Sequence, residues 1–299
     1  MNSSLPTFSI VIIGYNTSKQ LQKLLDSIQR IEYPEQKIEI IYIDDGSSDQ
    51  SINLFNNYNL QFSKNCYGFS KNQGRVVVTD KGIKLAQNEW ILFIQSNMTV
   101  GPNILQKYMY AIKRKKEAIA FGGSIQYTCN DKKFEKYLNN PRRGIKQYKQ
   151  YEMIQYQHLL FGNSIIKNAI LKTLPLNQSL KHYGGEELDF AYRLSQQYPK
   201  KTFACKNAIA KRINHPGLLT HYKRLIELGK YNLPLLNNDL KKIIVKYPIF
   251  LSKQNVWKTP IILLNKILLL LYRLKIQSFL IIKLILLTSI LRGYYNKVS

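Results

Sequence analysis

The chain is short of acids. Its 299 residues carry 18 Asp and Glu against 44 Lys and Arg, a formal charge of +26. The deficit is uneven: from Phe190 onward twenty cations face two acids, Glu227 and Asp239, and no acid follows Asp239. An asymmetry of this kind points to an anionic partner, nucleic acid or an anionic lipid face. AT-rich coding bias would account for the total of Lys, Asn, Ile and Tyr better than for its polarity. No nucleic-acid-reading motif accompanies the charge, which sets nucleic acid aside as a partner. Cysteine is scarce as well: Cys66, Cys129 and Cys205 are odd in number and unclustered. They suggest reduced thiols in the cytoplasm and exclude a zinc site of CxxC or Cys/His spacing. There is no long hydrophobic run. The N-terminus lacks a basic segment followed by an apolar one, Phe8–Ile13 being only strand length, so no export is implied.

What is present is organised around Ile38-Glu39-Ile40-Ile41-Tyr42-Ile43-Asp44-Asp45-Gly46-Ser47-Ser48-Asp49. This is a β-branched run of strand length that stops on two carboxylates and a turn. In an open α/β sheet, ligands collect outside the carboxyl ends of strands, where such acids would face a crevice. The competing reading is a solvated turn with an Asx cap. An earlier apolar strand, Phe8-Ser9-Ile10-Val11-Ile12-Ile13, ends in Gly14-Tyr15-Asn16. Thr17-Ser18-Lys19-Gln20 then has the form of a capping box, and Leu21, Leu24, Leu25, Ile28 and Ile31 fall on one helical face. A second crossover helix starts near Ser51. Strand, helix, strand in this order predicts a parallel sheet with right-handed connections.

These two strands, with their turns, resemble the opening of the inverting nucleotide-sugar-dependent glycosyltransferases of the GT-A fold, the large family two that includes bacterial capsule and O-antigen enzymes. Their openings read S-I-V-I-P-x-Y-N and V-D-D-G-S-x-D; here Gly14 stands in place of the Pro. The resemblance runs from Phe8 to His215, roughly two-thirds of the chain. It implies that Asp44 or Asp45 hydrogen-bonds the base or ribose of a UDP- or GDP-type donor, walled by Gly14, Tyr15 and Asn16. Asn72-Gln73-Gly74 through Ala86 is similar to the family's N-x-G…R-N-x-G-I-x-x-A, with Thr79-Asp80 in place of Arg-Asn. Arg75, one turn earlier, either replaces that nucleotide contact or lies on a solvated helix face.

The strand Glu89–Ile94 ends in Gln95-Ser96-Asn97, where the family carries D-x-D. Mg²⁺ or Mn²⁺ needs anionic oxygen ligands, and Gln95 and Asn97 offer neutral amides. The metal site is therefore degenerate. Either Lys211 and Arg212 neutralise the leaving diphosphate instead, or the chain has kept the fold and lost catalysis. Met98–Lys116 reads as a helix with a basic end, and Ala118–Gly123 as a strand. The resemblance implies that the Tyr- and Lys-rich stretch from Thr128 to Tyr156 covers the cleft on the acceptor side, and Leu160–Lys167 is similar to the family's acceptor-side strand T-G-x-N-x-x-x-R. Gly184-Gly185-Glu186-Glu187-Leu188-Asp189, with Arg193 four residues beyond Asp189, resembles G-G-E-D-x-D-x-x-x-R. Position gives Glu187 the role of general base, flanked by Glu186 and Asp189. The alternative is that these are first-turn acids favoured by the helix dipole, with Asp189 and Arg193 a surface pair. His215 matches a family histidine that contacts metal or diphosphate; otherwise it is a turn residue before Pro-Gly.

At this length the chain holds one sizeable core, or a domain of about 220–240 residues with an appendage. The expected division is a catalytic domain over 1–245, its nucleotide half at 1–100 and acceptor half at 101–220, with a basic amphipathic tail over 246–299. In that tail Lys266, Arg273, Lys275 and Lys283 interrupt an Ile/Leu-rich segment whose longest uncharged stretch is Leu284–Leu291, whereas a spanning helix needs about twenty residues. The segment suits helices lying on an anionic membrane surface. Its rivals are a helical hairpin packed on the domain or on a second copy, and a single span with a snorkelling Lys283. The sequence thus leads to a mixed, mostly parallel α/β sheet with a helical appendage. The resemblance implies transfer of a sugar to a glycan or lipid-linked acceptor in cell-surface polysaccharide synthesis, at the inner face of the cell membrane. An inactive binding or assembly subunit is the alternative.

Overall fold

The computed structural model describes residues 5–246, 248–251 and 255–296. The two ends of the expected division, residues 1–4 and 297–299, lie outside them. The strands are β1 (Phe8–Gly14), β2 (Ile38–Asp44), β3 (Ser63–Gly68), β4 (Trp90–Gln95), β5 (Met98–Val100), β6 (Ala120–Cys129), β7 (Asn163–Lys167) and β8 (Thr202–His215). The helices are α1 (Ser18–Ile28), α2 (Ser51–Asn57), α3 (Arg75–Leu85), α4 (Ile104–Arg114), α5 (Lys132–Leu138), α6 (Asn168–Thr173), α7 (Glu186–Gln197), α8 (Leu218–Glu227), α9 (Asn238–Val245), α10 (Lys258–Arg273) and α11 (Phe279–Tyr295).

The strands form one mixed sheet in the order β3-β2-β1-β4-β7-β6-β8-β5. The half β3-β2-β1-β4 is parallel, β7 runs antiparallel to both neighbours, and β5 closes the far edge antiparallel to β8. Buried on both faces, the central strands read as continuous apolar runs, and their side chains part by the two-residue period. Val11, Ile41 and Ile43 enter the core shared with α3 and α7, while Ile10, Ile12, Ile40 and Tyr42 enter the one shared with α1 and α4. The chain moves outward from β1 to β2 and β3, then returns to the other side of β1 with β4. That reversal opens a crevice at the carboxyl ends of β1 and β4. The registers align Gly14 with Asp44 and Ile13 with Gln95, bringing three motif turns to one edge.

Two local expectations change, and one strand stands where none was expected. The capping box does not form: the Thr17 hydroxyl donates to Ser96 Oγ at 2.7 Å, and Asp49 instead accepts from the Ser18 N–H at 2.9 Å. Met98–Lys116 is not one helix, because Met98 is drawn into β5 opposite Arg212 and Gly101-Pro102 breaks the chain before α4. The edge strand β3, of sequence SKNCYG and largely exposed, carries no apolar run that would announce it.

The C-terminal segment forms a helical hairpin on the body of the molecule. The inner stripe of α10 is Ile261, Asn265, Leu268 and Tyr272. Asn265 joins a polar network, donating to Thr288 at 2.8 Å and accepting from Tyr222 at 3.1 Å. Helix α11 is buried along most of its length and meets α8 backbone to backbone. A Cβ on Gly293 would stand 2.1 Å from the Ile226 carbonyl oxygen, and one on Gly229 1.9 Å from that of Ile290. The outer face of α10 keeps Leu263, Leu264, Ile267 and Leu270 exposed beside Lys266. Among the described residues no helix is long and apolar enough to cross a membrane.

Candidate active site

A cavity of about 480 Å³ opens at the crevice, lined in part by Gly14, Tyr15, Asp45, Arg75, Gln95 and Asn97, with Arg212 opposite. The two acids of the organising turn divide their work. Asp44 is fully buried and accepts hydrogen bonds from the Tyr42 hydroxyl at 2.9 Å, the Ser47 N–H at 2.7 Å and the Ser47 hydroxyl at 2.6 Å. It shapes the turn and is not part of the cavity wall. Asp45 is on that wall, its Oδ1 accepting the Gln73 N–H at 2.6 Å and its Oδ2 the Gly74 N–H at 3.2 Å. Burial raises its pKa, and those N–H groups oppose the rise by favouring the carboxylate.

Asn16, with φ 51°, ties the first turn to the second: its N–H donates to Ser47 Oγ and its side-chain oxygen accepts the Ser48 N–H. Tyr15 stands half exposed at the mouth. Gly14 has a local reason to replace proline, since an added Cβ would lie 2.6 Å from the Tyr42 hydroxyl oxygen.

The acids opening α7 meet Arg75 across the fold. Its guanidinium contacts Glu187 at 2.5 Å and Glu186 at 3.2 Å. The solvated helix face is not what the geometry gives, for Arg75 lines the cavity and bridges it to both glutamates. Burial works against its charge, but Glu186 and Glu187 outweigh that and its pKa rises. Glu186 is pushed up by burial, with Arg75 pulling the other way. Glu187 is held by Arg75 and is not itself part of the cavity wall. Asp189 is buried and pairs with Arg193 at 2.9 Å along its own helix, outside the cavity wall, so the pair is not the solvated surface pair of the alternative reading.

At the β4 turn, Gln95 and Asn97 line the cavity and Asn97 Oδ1 is buried without a hydrogen-bond partner. The cavity's carboxylates are Asp45 and Glu227, and its cations are Arg75, Lys181, Arg212 and Arg224. Among the described residues no three of His, Cys, Asp or Glu converge as metal ligands. Neutral amides amid four cations do not fit a divalent ion, whose dehydration must be offset by anionic oxygens. His215 does not help. It is buried outside the cavity wall, its Nδ1 2.8 Å from the Pro216 carbonyl oxygen and its ring edge-on to Tyr127. Burial, then the charge of Arg212, pushes its pKa down to about 4.

Alternation along β8 separates the two expected cations: Lys211 is exposed, while Arg212 reaches the cavity with a buried Nε that has no partner. Burial lowers the Arg212 pKa, partly offset by Tyr127 and Tyr183. Lys181 and Arg224 were not legible from the motifs. Lys181 comes from a loop before the Gly-Gly turn that no motif covers and Arg224 from α8, beyond the stretch that carries the resemblance, and only the fold brings them to this edge.

The sequence profile described as glycosyl transferase family 2 matches residues 9–174. Glycosyltransferase GlyG of Streptococcus pneumoniae serotype 4 is 26% identical over 150 residues, covering 50% of this chain and 49% of GlyG; the chain thus spans about half of that relative. Among solved structures, S. aureus TarS 1–349 in complex with UDP-GlcNAc aligns over 97% of this chain and 91% of that one, with a TM-score of 0.58 and 14% identity. The mannosyltransferase PcManGT from Pyrobaculum calidifontis, in complex with GDP-Man and Mn2+, aligns over 76% of this chain and 64% of its own, with a TM-score of 0.57 and 13% identity. These structural likenesses establish a shared GT-A fold.

Proposed function

This chain belongs to glycosyl transferase family 2, and from that premise we propose that it transfers a sugar from a nucleoside diphosphate sugar to a glycan or lipid-linked acceptor, with inversion. The observation that carries the reading is the polarity of the crevice: Asp45, fixed by two backbone N–H groups, stands in the same cavity as Arg212, whose buried Nε has no hydrogen-bond partner. An acid that accepts from a base or ribose and a cation that meets a diphosphate are what a nucleotide requires. The resemblance to capsule and O-antigen enzymes supports a place in cell-surface polysaccharide synthesis.

In this reading Arg212, Arg224, Lys181 and Arg75 neutralise the diphosphate as the C1–O bond breaks and its electron pair leaves with the nucleotide. Cations aimed at the developing charge supply stabilisation of the kind a metal gives elsewhere. The acceptor oxygen forms the new bond to C1 from the opposite face, and Glu187 takes its proton. Glu187 is held by Arg75 in the free protein, and a diphosphate competes for that guanidinium. Donor binding would then free the base only when there is a donor to attack. The same ion pair also favours a second reading, a donor-binding subunit in which Glu187 is never released.

A panel of UDP- and GDP-sugars, screened for thermal stabilisation and for turnover, separates the two. The enzyme reading predicts turnover that falls by about 10²–10⁴-fold in Glu187→Gln while donor stabilisation persists. Stabilisation without turnover in the wild type supports the binding subunit. The outward face of α10, with Leu263, Leu264, Ile267 and Leu270 beside Lys266 and Arg273, supports a peripheral seat on the anionic inner face of the cell membrane.

A further inference from the structure

A second cavity, of about 540 Å³, lies on the acceptor half. Its walls carry Arg142, Arg143, Lys146, Lys246 and Lys283 and no Asp or Glu. Three separate segments supply these cations: the loop after α5, the end of α9, and α11. Among the described residues none of the five forms an ion pair, whereas Lys84, Lys132 and Lys242 on the solvated helices pair with Asp80, Glu135 and Asp239. Some of the cluster is set in place. Arg143 donates to the Tyr137 hydroxyl at 2.7 Å and lies 4.2 Å from that ring's centre, and the Lys146 amine donates to the Leu138 carbonyl at 3.1 Å. Arg142, Lys246 and Lys283 are exposed and free to adapt. Convergent like charges without counter-charge destabilise the folded chain. Burial, then Arg143, lowers the pKa of both Lys146 and His158, as that repulsion requires.

Tyr127 relates this cavity electrostatically to Arg212 of the crevice. It lines this one, and its phenol lies within electrostatic reach of Arg212 and Glu187 as well as of Arg143. A ligand seated on the cations would therefore approach the catalytic edge.

We propose that this cavity binds the phosphate groups of the acceptor, so that the second substrate is a phosphate-bearing chain rather than a neutral glycan. The proposal rests on the glycosyltransferase reading and adds the chemical class of the acceptor. Arginine forks and lysine amines are the groups that recognise phosphate, and the volume, within the roughly 300–1,000 Å³ of ordinary ligand clefts, admits more than one phosphate. A diphosphate on a lipid carrier and a phosphodiester-linked polyol polymer offer the same anion.

Two probes distinguish these sources: phosphatidylcholine vesicles doped with a polyprenyl diphosphate, and a soluble glycerol-phosphate oligomer. Their controls are vesicles doped with the free polyprenol and neutral glycerol oligomers. The full chain should bind at least one phosphate probe over its control, with affinity falling steeply as salt is added. The triple variant Arg142→Gln, Lys246→Gln, Lys283→Gln, changed only at exposed positions, should lose about tenfold or more of that affinity while keeping the donor-induced thermal shift. Equal binding of phosphate probe and control by the wild type, or undiminished binding by the triple variant, overturns the proposal. Absence of any donor-induced shift in the wild type is a separate failure, that of the glycosyltransferase reading.

Discussion

Two histidines at the back of the site show how burial sets charge at the residue scale. Burial, with His215 as the next cause, brings the His221 pKa down to about 3; burial, then Arg212, brings that of His215 to about 4. Both folded values lie below the ordinary 6.5, so as pH falls the unfolded chain takes up protons first. The stability associated with the neutral rings is therefore complete above about 6.5 and is lost progressively from there down towards 4 and 3. Calorimetric unfolding should show a loss of about 1–2 kcal/mol per histidine between about pH 7 and pH 5. A flat profile over that interval, or one that His221→Gln leaves unaltered, would contradict the burial account.

The same scale shows what a single sequence conceals. That Asp44 and Asp45 end a strand was plain; which of them faces the cavity depended on where Tyr42 and Ser47 point. Arg75 was a choice between a nucleotide contact and a solvated face, because no spacing rule could place Glu186 and Glu187, more than a hundred residues away, against it.

At the scale of elements, periodicity was a good guide wherever one face was buried. β1, β2, β4 and α1 stand where their apolar patterns put them, because burial on a known period dictates the pattern. β3 and β5 escaped notice for opposite reasons, one being a polar edge and the other only Met98–Val100, too short to show a period. The C-terminal helices were legible as helices, but their seat was not. The approach of α11 to α8 depends on Gly293 and Gly229, whose missing side chains leave no periodic mark. Gly293→Ala forces a methyl onto the Ile226 carbonyl and should destabilise the protein by about 1–3 kcal/mol in chemical denaturation. An unchanged midpoint would mean that the two helices part without cost.

The outward face of α10 should behave differently. Leu263→Gln with Leu270→Gln should leave the unfolding midpoint in place yet reduce flotation with vesicles containing anionic lipid. Retained flotation would remove the membrane proposal.

Over the whole molecule, the mostly parallel sheet, the crevice at the carboxyl ends of its strands and the family membership follow from motifs in the first two-thirds of the chain, whereas the sheet order does not. The charge excess does not resolve from composition. Folded, it separates into cations in the crevice, a cluster without ion pairs among the described residues in the second cavity, and a basic flank on the outer helix, three separate settings. The degenerate D-x-D becomes intelligible in this light, since Arg212 and Arg224 from the distal third supply positive charge where Gln95 and Asn97 cannot hold a divalent ion.

The most direct test of that substitution of arginine for metal is a thermal titration of the full chain with nucleotide-sugars, run with EDTA and again with Mn²⁺, on the wild type and on Arg212→Gln. At least one donor should stabilise the wild type equally in both media, and Arg212→Gln should weaken its binding by about tenfold or more. Stabilisation that appears only when Mn²⁺ is supplied, or that survives intact in Arg212→Gln, would contradict it.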